Sequence, residues 1–166
     1  MQKETSKPNT NIKAFIDAAI GLVFKKLSFV IVFINLCWLV SCTPKPHRKD
    51  EIESAMRQYD RLIQKMDTDS IALLYTEDGD MGNVAHGRGA IRKFLATFKD
   101  FKVISQYSIS KSVNITGDSS LQKGTYQQTV ITPTKDTLIV KGEYKTTWLW
   151  MRDNSWHIKH METKTL

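Results

Sequence analysis

Cysteine is almost absent from this 166-residue chain. Its two cysteines are Cys37 and Cys42, and none follows position 42. Residues 43–166 therefore have no disulfide, no thiolate nucleophile and no cysteine ligand for zinc. These classes of site are excluded for any domain built from that part of the chain.

Long runs of like charge are also absent. The chain carries 24 Lys and Arg against 17 Asp and Glu, and no run of like charges exceeds three residues. Residues 1–41 contain five of the lysines and two of the acidic residues, which leaves a net charge of +4 on residues 42–166. Because this charge is scattered, it provides no electrostatic footprint for nucleic acid, and we expect no nucleic-acid partner.

The longest hydrophobic run, Leu27–Val40, is shorter than the roughly 20 residues that a membrane-spanning helix needs. Lys25-Lys26 precede it and small residues follow it, which is the order of a secretory signal peptide. The alternative is an uncleaved membrane helix from Ile20 to Val40, which would hold both lysines inside the bilayer at high cost. We predict a signal peptide over residues 1–41, whose long N-terminal part indicates a misassigned translation start.

The run ends in Leu39-Val40-Ser41-Cys42, which resembles the lipobox of bacterial lipoproteins. The resemblance implies cleavage before Cys42 and acylation of its thiol and new amino group. Several acyl chains would anchor the protein firmly, because each buried methylene contributes about 0.8 kcal/mol. Residues 42–50 would then be the lipidated cysteine and an extended tether. We expect a lipid-anchored membrane protein of the bacterial cell envelope, facing the periplasm or on the cell surface.

The remainder, residues 51–166, is expected to form one domain in which helices precede strands. Apolar residues recur at spacings of three and four from Asp50 to Met66, which predicts an amphipathic helix. Asp67-Thr68-Asp69 provides a cap for a second helix, and Glu77-Asp78-Gly79-Asp80 is interpreted as its break. The second helix is predicted from Asp69 to Tyr75. A short strand is predicted from Asp80 to His86, and a third helix from Gly87 to Asp100.

After Phe101 the pattern changes to long segments rich in Thr, Val, Ile and aromatic residues, separated by turn sequences. Four strands are predicted, at Val103 to Ile115, Leu121 to Thr132, Leu138 to Met151 and Trp156 to Thr165. Strands of this length must twist and curl strongly. We predict an α+β fold in which an antiparallel meander curves around three N-terminal helices.

Several of these segments are similar to the nuclear transport factor 2-like superfamily, and in particular to its SnoaL-like and ketosteroid-isomerase-like domains. They are the short helix with Leu73-Leu74-Tyr75-Thr76-Glu77-Asp78-Gly79, the helix entry His86-Gly87-Arg88-Gly89-Ala90-Ile91 and the final Trp156-His157-Ile158. The resemblance implies a cone-shaped roll with a pocket between helices and sheet, often dimeric through the sheet.

The ketosteroid isomerase mechanism needs a carboxylate base and two acidic hydrogen-bond donors. Counted from shared landmarks, these positions fall at Arg61, Asn83 and Trp148, and none has the required side chain. Isomerase chemistry in its familiar form is therefore not expected. Asp80 is close enough along the chain to remain a candidate for the base.

The histidines are ambiguous. Strand alternation places His157 and His160 on opposite faces, so they cannot share a metal ion, and it places His160 with Trp156 and Ile158 on the pocket side. A structural role and a proton-transfer role are both open for His160 and for His86. Asp80, His86 and His160 are accordingly weak catalytic candidates.

No metal or cofactor is expected. A calcium loop beginning at Asp67 would need an oxygen ligand at Ile71 and a glycine at Ala72, and the chain has neither. Gly87-Arg88-Gly89 is only the entry to a helix, not a phosphate-binding loop.

Aromatic residues with polar tips are the more suggestive feature, since they line both apolar pockets and sheet interfaces. The predicted pocket consists of Tyr75, Tyr126, Tyr144, Trp148 and His160. The predicted function is non-catalytic binding of a small, largely apolar molecule, or pairing with a partner such as a second copy of the chain. The alternatives are a SnoaL-like cyclase or isomerase that uses Asp80, His86 or His160, and a scaffold whose pocket is filled by its own side chains.

Overall fold

The computed structural model describes residues 46–166, which form three helices and a six-stranded sheet. The predicted signal peptide, Cys42 and most of the predicted tether lie outside the described residues. The helices are α1 (Lys49–Lys65), α2 (Thr68–Leu73) and α3 (Gly87–Ala96). The strands are β1 (Tyr75–Met81), β2 (Ala85–His86), β3 (Lys102–Thr116), β4 (Ser119–Ile131), β5 (Thr137–Trp150) and β6 (Trp156–Thr165). Within residues 46–166, no helix has the length and apolar character to span a membrane.

Helix α1 is the predicted amphipathic helix, shifted by one residue at each end. Ile52, Met56 and Ile63 are buried on one side of it, as the spacing predicted. The helix ends at Lys65, and the capping residue Met66 adopts a left-handed conformation with φ 52° that allows the chain to reverse. Asp67 then caps α2 by accepting a hydrogen bond from the Ser70 amide at 3.1 Å.

Strand β1 corrects two predictions about the segment after α2. Tyr75 begins a strand rather than ending a helix, and the acidic sequence interpreted as a break lies within that strand. Pairing with β6 overrides the weak strand propensity of these residues. Gly79 permits the close approach, because a Cβ there would lie 2.9 Å from the Ile158 carbonyl oxygen.

The sheet order is β2-β1-β6-β5-β4-β3, so the predicted meander of four antiparallel strands is confirmed. The bounds of these four strands agree with the prediction to within two residues. The parallel pairing of β1 with β6 was not predicted. It extends the sheet and places α3, which follows β2, over its inner face.

Two glycine–tyrosine pairs accompany the curvature of the sheet. Gly124 lies opposite Tyr144, and two residues away Tyr126 lies opposite Gly142. Cβ atoms at Gly124 and Gly142 would come within 2.7 Å and 2.5 Å of ring carbons of the opposing tyrosines. Each ring therefore covers a glycine on the neighbouring strand, an arrangement that supports bending of long strands.

Candidate functional site

A cavity of about 300 Å³ lies between α1, α3 and the inner face of the sheet. Its wall is formed by Met56, Tyr59, Ile63, Phe94, Phe98, Gln106, Ser108, Tyr126, Gln128, Tyr144, Met161 and Thr163. These are aromatic, aliphatic, thioether, hydroxyl and amide side chains. Among the described residues, no Lys, Arg, His, Asp or Glu lines this space, which we call the inner cavity.

The strand register fixes how the sheet side of the inner cavity is built. Residues paired across neighbouring strands point to the same side of the sheet. Four such rows succeed one another along the inner face: Ser110–Gly124–Tyr144–Thr163, Ser108–Tyr126–Gly142, Gln106–Gln128–Val140 and Val103–Val130–Leu138. The rows change from hydroxyl-bearing through amide-bearing to entirely aliphatic.

A second cavity of about 280 Å³ continues from the aliphatic rows. It shares Ile63, Phe98 and Gln128 with the inner cavity. The rest of its wall is Met66, Leu95, Phe101, Val103, Val130, Leu138 and Val140. Phe98 and Leu138 are 38% and 48% exposed, so this apolar cavity borders the solvent.

A larger hollow of about 910 Å³ adjoins the opposite part of the inner cavity, near Tyr59, Tyr144 and Thr163. It also carries charged groups, including an ion pair between Lys111 and Glu143 at 3.0 Å. Lys145 is exposed, and its neighbours Tyr144 and Thr146 on the same strand are buried. Because successive side chains of a strand point to opposite faces, Lys145 projects from the outer face of the sheet. The charged side chains therefore line the larger hollow and not the inner cavity.

One buried carboxylate lies beside the inner cavity. Asp60 on α1 is 7% exposed. Its Oδ1 accepts hydrogen bonds from Gln106 Nε2 at 3.0 Å and Ser108 Oγ at 2.8 Å, and its Oδ2 accepts one from the Ser108 amide at 2.9 Å. The carboxylate thus joins α1 to β3, and these bonds occupy both of its oxygens.

Tyr59 on the wall of the inner cavity contacts Tyr75, a phenol that is buried in the core. Burial raises the pKa of Tyr59 to about 12, and burial raises the pKa of its neighbour Tyr75 well above the usual value. The Tyr75 hydroxyl also contacts the Met161 sulfur at 3.7 Å. Both phenols are neutral at physiological pH and act as hydrogen-bonding groups.

A second polar chain crosses the sheet beneath the cavity. Trp148 Nε1 donates to Gln122 Oε1 at 2.9 Å, and Gln122 Nε2 donates to Ser110 Oγ at 2.6 Å. Ser110 Oγ lies 3.4 Å from the Tyr144 hydroxyl on the cavity wall. Since Trp148 and Gln122 are completely buried, these bonds satisfy polar groups that would otherwise be costly to bury.

Comparison with protein-family models matches residues 47–162 to the SnoaL-like domain. The chain belongs to the SnoaL-like domain family. No curated protein matches it.

Solved structures share the fold of this SnoaL-like domain. A ketosteroid isomerase-like protein from Erwinia carotovora atroseptica has 18% identity and a TM-score of 0.63, with 70% of this chain and 95% of that chain covered. A nuclear transport factor 2-like superfamily protein from Salmonella enterica has 14% identity and a TM-score of 0.59, with 70% and 89% covered. A protein of unknown function from Mycobacterium tuberculosis has 21% identity and a TM-score of 0.62, with 70% and 74% covered. At these identities the likeness establishes the nuclear transport factor 2-like fold alone.

The SnoaL-like domain distributes the predicted pocket residues over three environments. Tyr126 and Tyr144 lie on the wall of the inner cavity. Tyr75 and Trp148 are completely buried in the core. His160 lies on β6, outside the residues that line the three cavities described above.

The predicted face of His160 was wrong because β6 contains a bulge. Trp148 pairs with Ile158 but Thr147 pairs with His160, which leaves Lys159 as an extra residue. The bulge reverses the alternation, so Met161 rather than His160 follows Ile158 on the inner face. His160 shares the outer face with Thr147.

The three catalytic candidates are nevertheless close together. Asp80 Oδ1 is hydrogen bonded to His86 Nδ1, and Asp80 Oδ2 lies 3.7 Å from His160 Nδ1. His160 Nε2 lies 3.0 Å from Glu162 Oε1. The hydrogen bond from His86, together with the nearby charges, lowers the pKa of Asp80. We call Asp80, His86, His160 and Glu162 the acid–histidine cluster.

The positions counted from ketosteroid isomerase do not form a constellation. Arg61 is exposed on α1, Asn83 is exposed beside the larger hollow and Trp148 is buried. Within residues 46–166, no group of three or more His, Cys, Asp or Glu side chains is arranged to hold a metal ion.

Sequence reasoning missed Asp60 and its partners Gln106 and Ser108. A signal was present, because Asp60 is four residues after Met56 and three before Ile63, on the buried side of α1. A carboxylate at such a position needs partners, and strand β3 supplies them.

Proposed function

We propose that this domain is a binding module that holds a small, largely apolar molecule in the inner cavity. The observation that carries the proposal is the uncharged, aromatic wall of that cavity. The buried carboxylate beside it, Asp60, accepts three hydrogen bonds from Gln106 and Ser108 and serves to join α1 to β3. Concave, mostly apolar sites with a few fixed polar groups are typical of small-molecule binding.

The test measures binding of prodan, a neutral fluorophore whose emission shifts in apolar surroundings. Thr163 lines the inner cavity, so Thr163→Trp should fill it and abolish the emission shift. Lys164→Trp is the control, because residue 164 is the exposed neighbour on the opposite face of the same strand and does not line the inner cavity. Loss of the shift in both variants, or in neither, contradicts the proposal. Native mass spectrometry of the domain recovered from its host would identify a retained ligand directly.

The binding module is further proposed to be attached to the cell envelope through acylated Cys42. The lipobox sequence supports this location. Metabolic labelling with palmitate should mark the wild-type protein and leave Cys42→Ala unmarked. Retention of residues 1–41 in the mature protein would contradict the proposed anchor.

A second candidate function is proton-transfer catalysis by the acid–histidine cluster. The specific observation in its favour is the hydrogen bond between Asp80 and His86, since a carboxylate can orient an imidazole that transfers a proton at its other nitrogen. An enzyme of this kind would turn over a ketosteroid or polyketide-like substrate and lose activity on Asp80→Ala or His160→Ala. Asp78→Ala is the control, because Asp78 is exposed and paired with Lys159 at 2.7 Å.

Pairing with a second copy of the chain is the proposed use of the outer sheet face. Tyr107, Ile109 and Ile139 are 46%, 59% and 62% exposed on that face. Sedimentation equilibrium should report a dimer for the wild-type domain and a monomer for Ile109→Lys. A monomeric wild type would refute this pairing.

A further inference from the structure

The inner cavity and the apolar cavity form one elongated site. They share Ile63, Phe98 and Gln128, so the two spaces lie end to end along the inner face with these three side chains at their junction. From Gly124 to Val130 on β4 the chain advances six residues, which is roughly 20 Å at the rise of an extended strand. The site is therefore long and narrow rather than round.

The polarity of the site changes in one direction along this length. Tyr144, Tyr126 and Ser108 contribute hydroxyl groups at one end, and Val103, Val130 and Leu138 form the aliphatic row at the other. Phe98 and Phe101, whose ring centroids are 5.7 Å apart, line the aliphatic end from the helix side. A ligand that matches this gradient has a polar group at one end and a hydrocarbon chain at the other.

The charge of the polar end follows from its surroundings. Among residues 46–166 no cationic side chain lines the inner cavity, and the Asp60 carboxylate lies directly behind Ser108. An anionic head would be desolvated beside a like charge without a counterion, which is strongly unfavourable. The Tyr126 hydroxyl and the Gln128 amide make no hydrogen bond within residues 46–166 and remain available to an uncharged head.

We infer that the site binds a single-chain lipid with an uncharged, hydrogen-bonding head group. The head lies between Tyr126 and Gln128, and the hydrocarbon chain extends past Phe98 and Leu138 towards the solvent. This inference rests on the proposed binding function and specifies its ligand class.

The test uses three probes that displace prodan: dodecan-1-ol, hexan-1-ol and dodecanoate. Each buried methylene strengthens binding roughly fourfold at most, so dodecan-1-ol should bind at least tenfold more tightly than hexan-1-ol. Dodecanoate at neutral pH should bind at least tenfold more weakly than dodecan-1-ol. Equal affinity for the two alcohols overturns the elongated site, and equal affinity for the alcohol and the carboxylate overturns the uncharged head.

A pair of variants locates the hydrocarbon chain. Leu138→Asp places a charge in the aliphatic row and should weaken dodecan-1-ol at least tenfold while leaving hexan-1-ol unchanged. The matched control is Thr137→Asp, an exposed neighbour of opposite strand parity that should leave both alcohols unchanged. If Leu138→Asp and Thr137→Asp behave alike while prodan still binds, the lipid inference fails and the proposed binding function stands. If prodan does not bind to the wild-type domain and none of the probes does, both fail.

Discussion

Replacing Asp60 by alanine should lower the free energy of unfolding by about 3–5 kcal/mol. The change leaves three donor groups of Gln106 and Ser108 without their acceptor. Gln106 and Ser108 both border the inner cavity, where side-chain donors can turn to water, so the loss is smaller than the sum for three fully buried donors. Each buried donor left unpaired costs about 1–3 kcal/mol. The loss is a large part of the roughly 5–15 kcal/mol that stabilises a typical domain.

The assay is urea unfolding at neutral pH, followed by the fluorescence of the buried Trp148 and Trp156. Asp60→Asn keeps one carbonyl acceptor and should cost about 1 kcal/mol. Glu53→Ala removes a partly exposed ion pair with Lys49 at 3.3 Å from the same helix and should cost less than about 1 kcal/mol. The reasoning is refuted if Asp60→Ala and Glu53→Ala shift the unfolding midpoint equally at an unchanged slope.

Three further changes test other parts of the fold. Asp67→Ala removes the cap of α2 and should cost about 1 kcal/mol in urea unfolding, while a neutral result would mean that the bond to Ser70 adds nothing. Gly124→Ala places a Cβ 2.2 Å from the Ile109 carbonyl oxygen and should lower the melting temperature. The Cβ of Gly89→Ala meets no atom within 4 Å, so this variant should raise the melting temperature. Equal shifts in the two variants would contradict the glycine–tyrosine arrangement. Hydrogen bonds from Ser155 and His157 lower the pKa of Asp153, so the stability that this carboxylate contributes is present at neutral pH and is lost as the pH falls through the lowered pKa. Asp153→Asn should therefore weaken the dependence of the melting temperature on pH in the acid range. A dependence equal to that of the wild type would count against these bonds.

Local patterns were sufficient to predict most of the elements. The spacing of Ile52, Met56 and Ile63 predicts α1 because an isolated amphipathic helix already determines which side is buried. The four long strands could be predicted because their turn sequences lie at regular intervals and alternation is a local property. The parallel strand β1 could not, because its pairing with β6 depends on contact between segments some eighty residues apart, such as Tyr75 with Ile158.

The candidate site was harder to predict than the fold, and a single residue shows why. Alternation along β6 is valid up to Ile158, and the bulge at Lys159 reverses it for every residue that follows. His160 therefore lies beside Asp80 on the outer face, whereas Met161 and Thr163 reach the inner cavity. Nothing in the local sequence marks Lys159 as the extra residue. The bulge is visible only in the pairing of β6 with β5, which lies outside the local sequence.

Curvature and the uncharged cavity wall have a common origin in the glycine–tyrosine pairs. Without a Cβ at Gly124 and Gly142, the rings of Tyr144 and Tyr126 lie across the neighbouring strand instead of projecting to the helices. The space between α1 and the sheet that longer side chains would fill is left open, and its floor is aromatic with hydroxyl tips. An additional acid placed on these rows would be desolvated beside the Asp60 carboxylate, which disfavours a second negative charge there. The same geometry that makes room for a ligand therefore separates the cavity from the acid–histidine cluster, and this separation is why we propose binding rather than catalysis for the inner cavity.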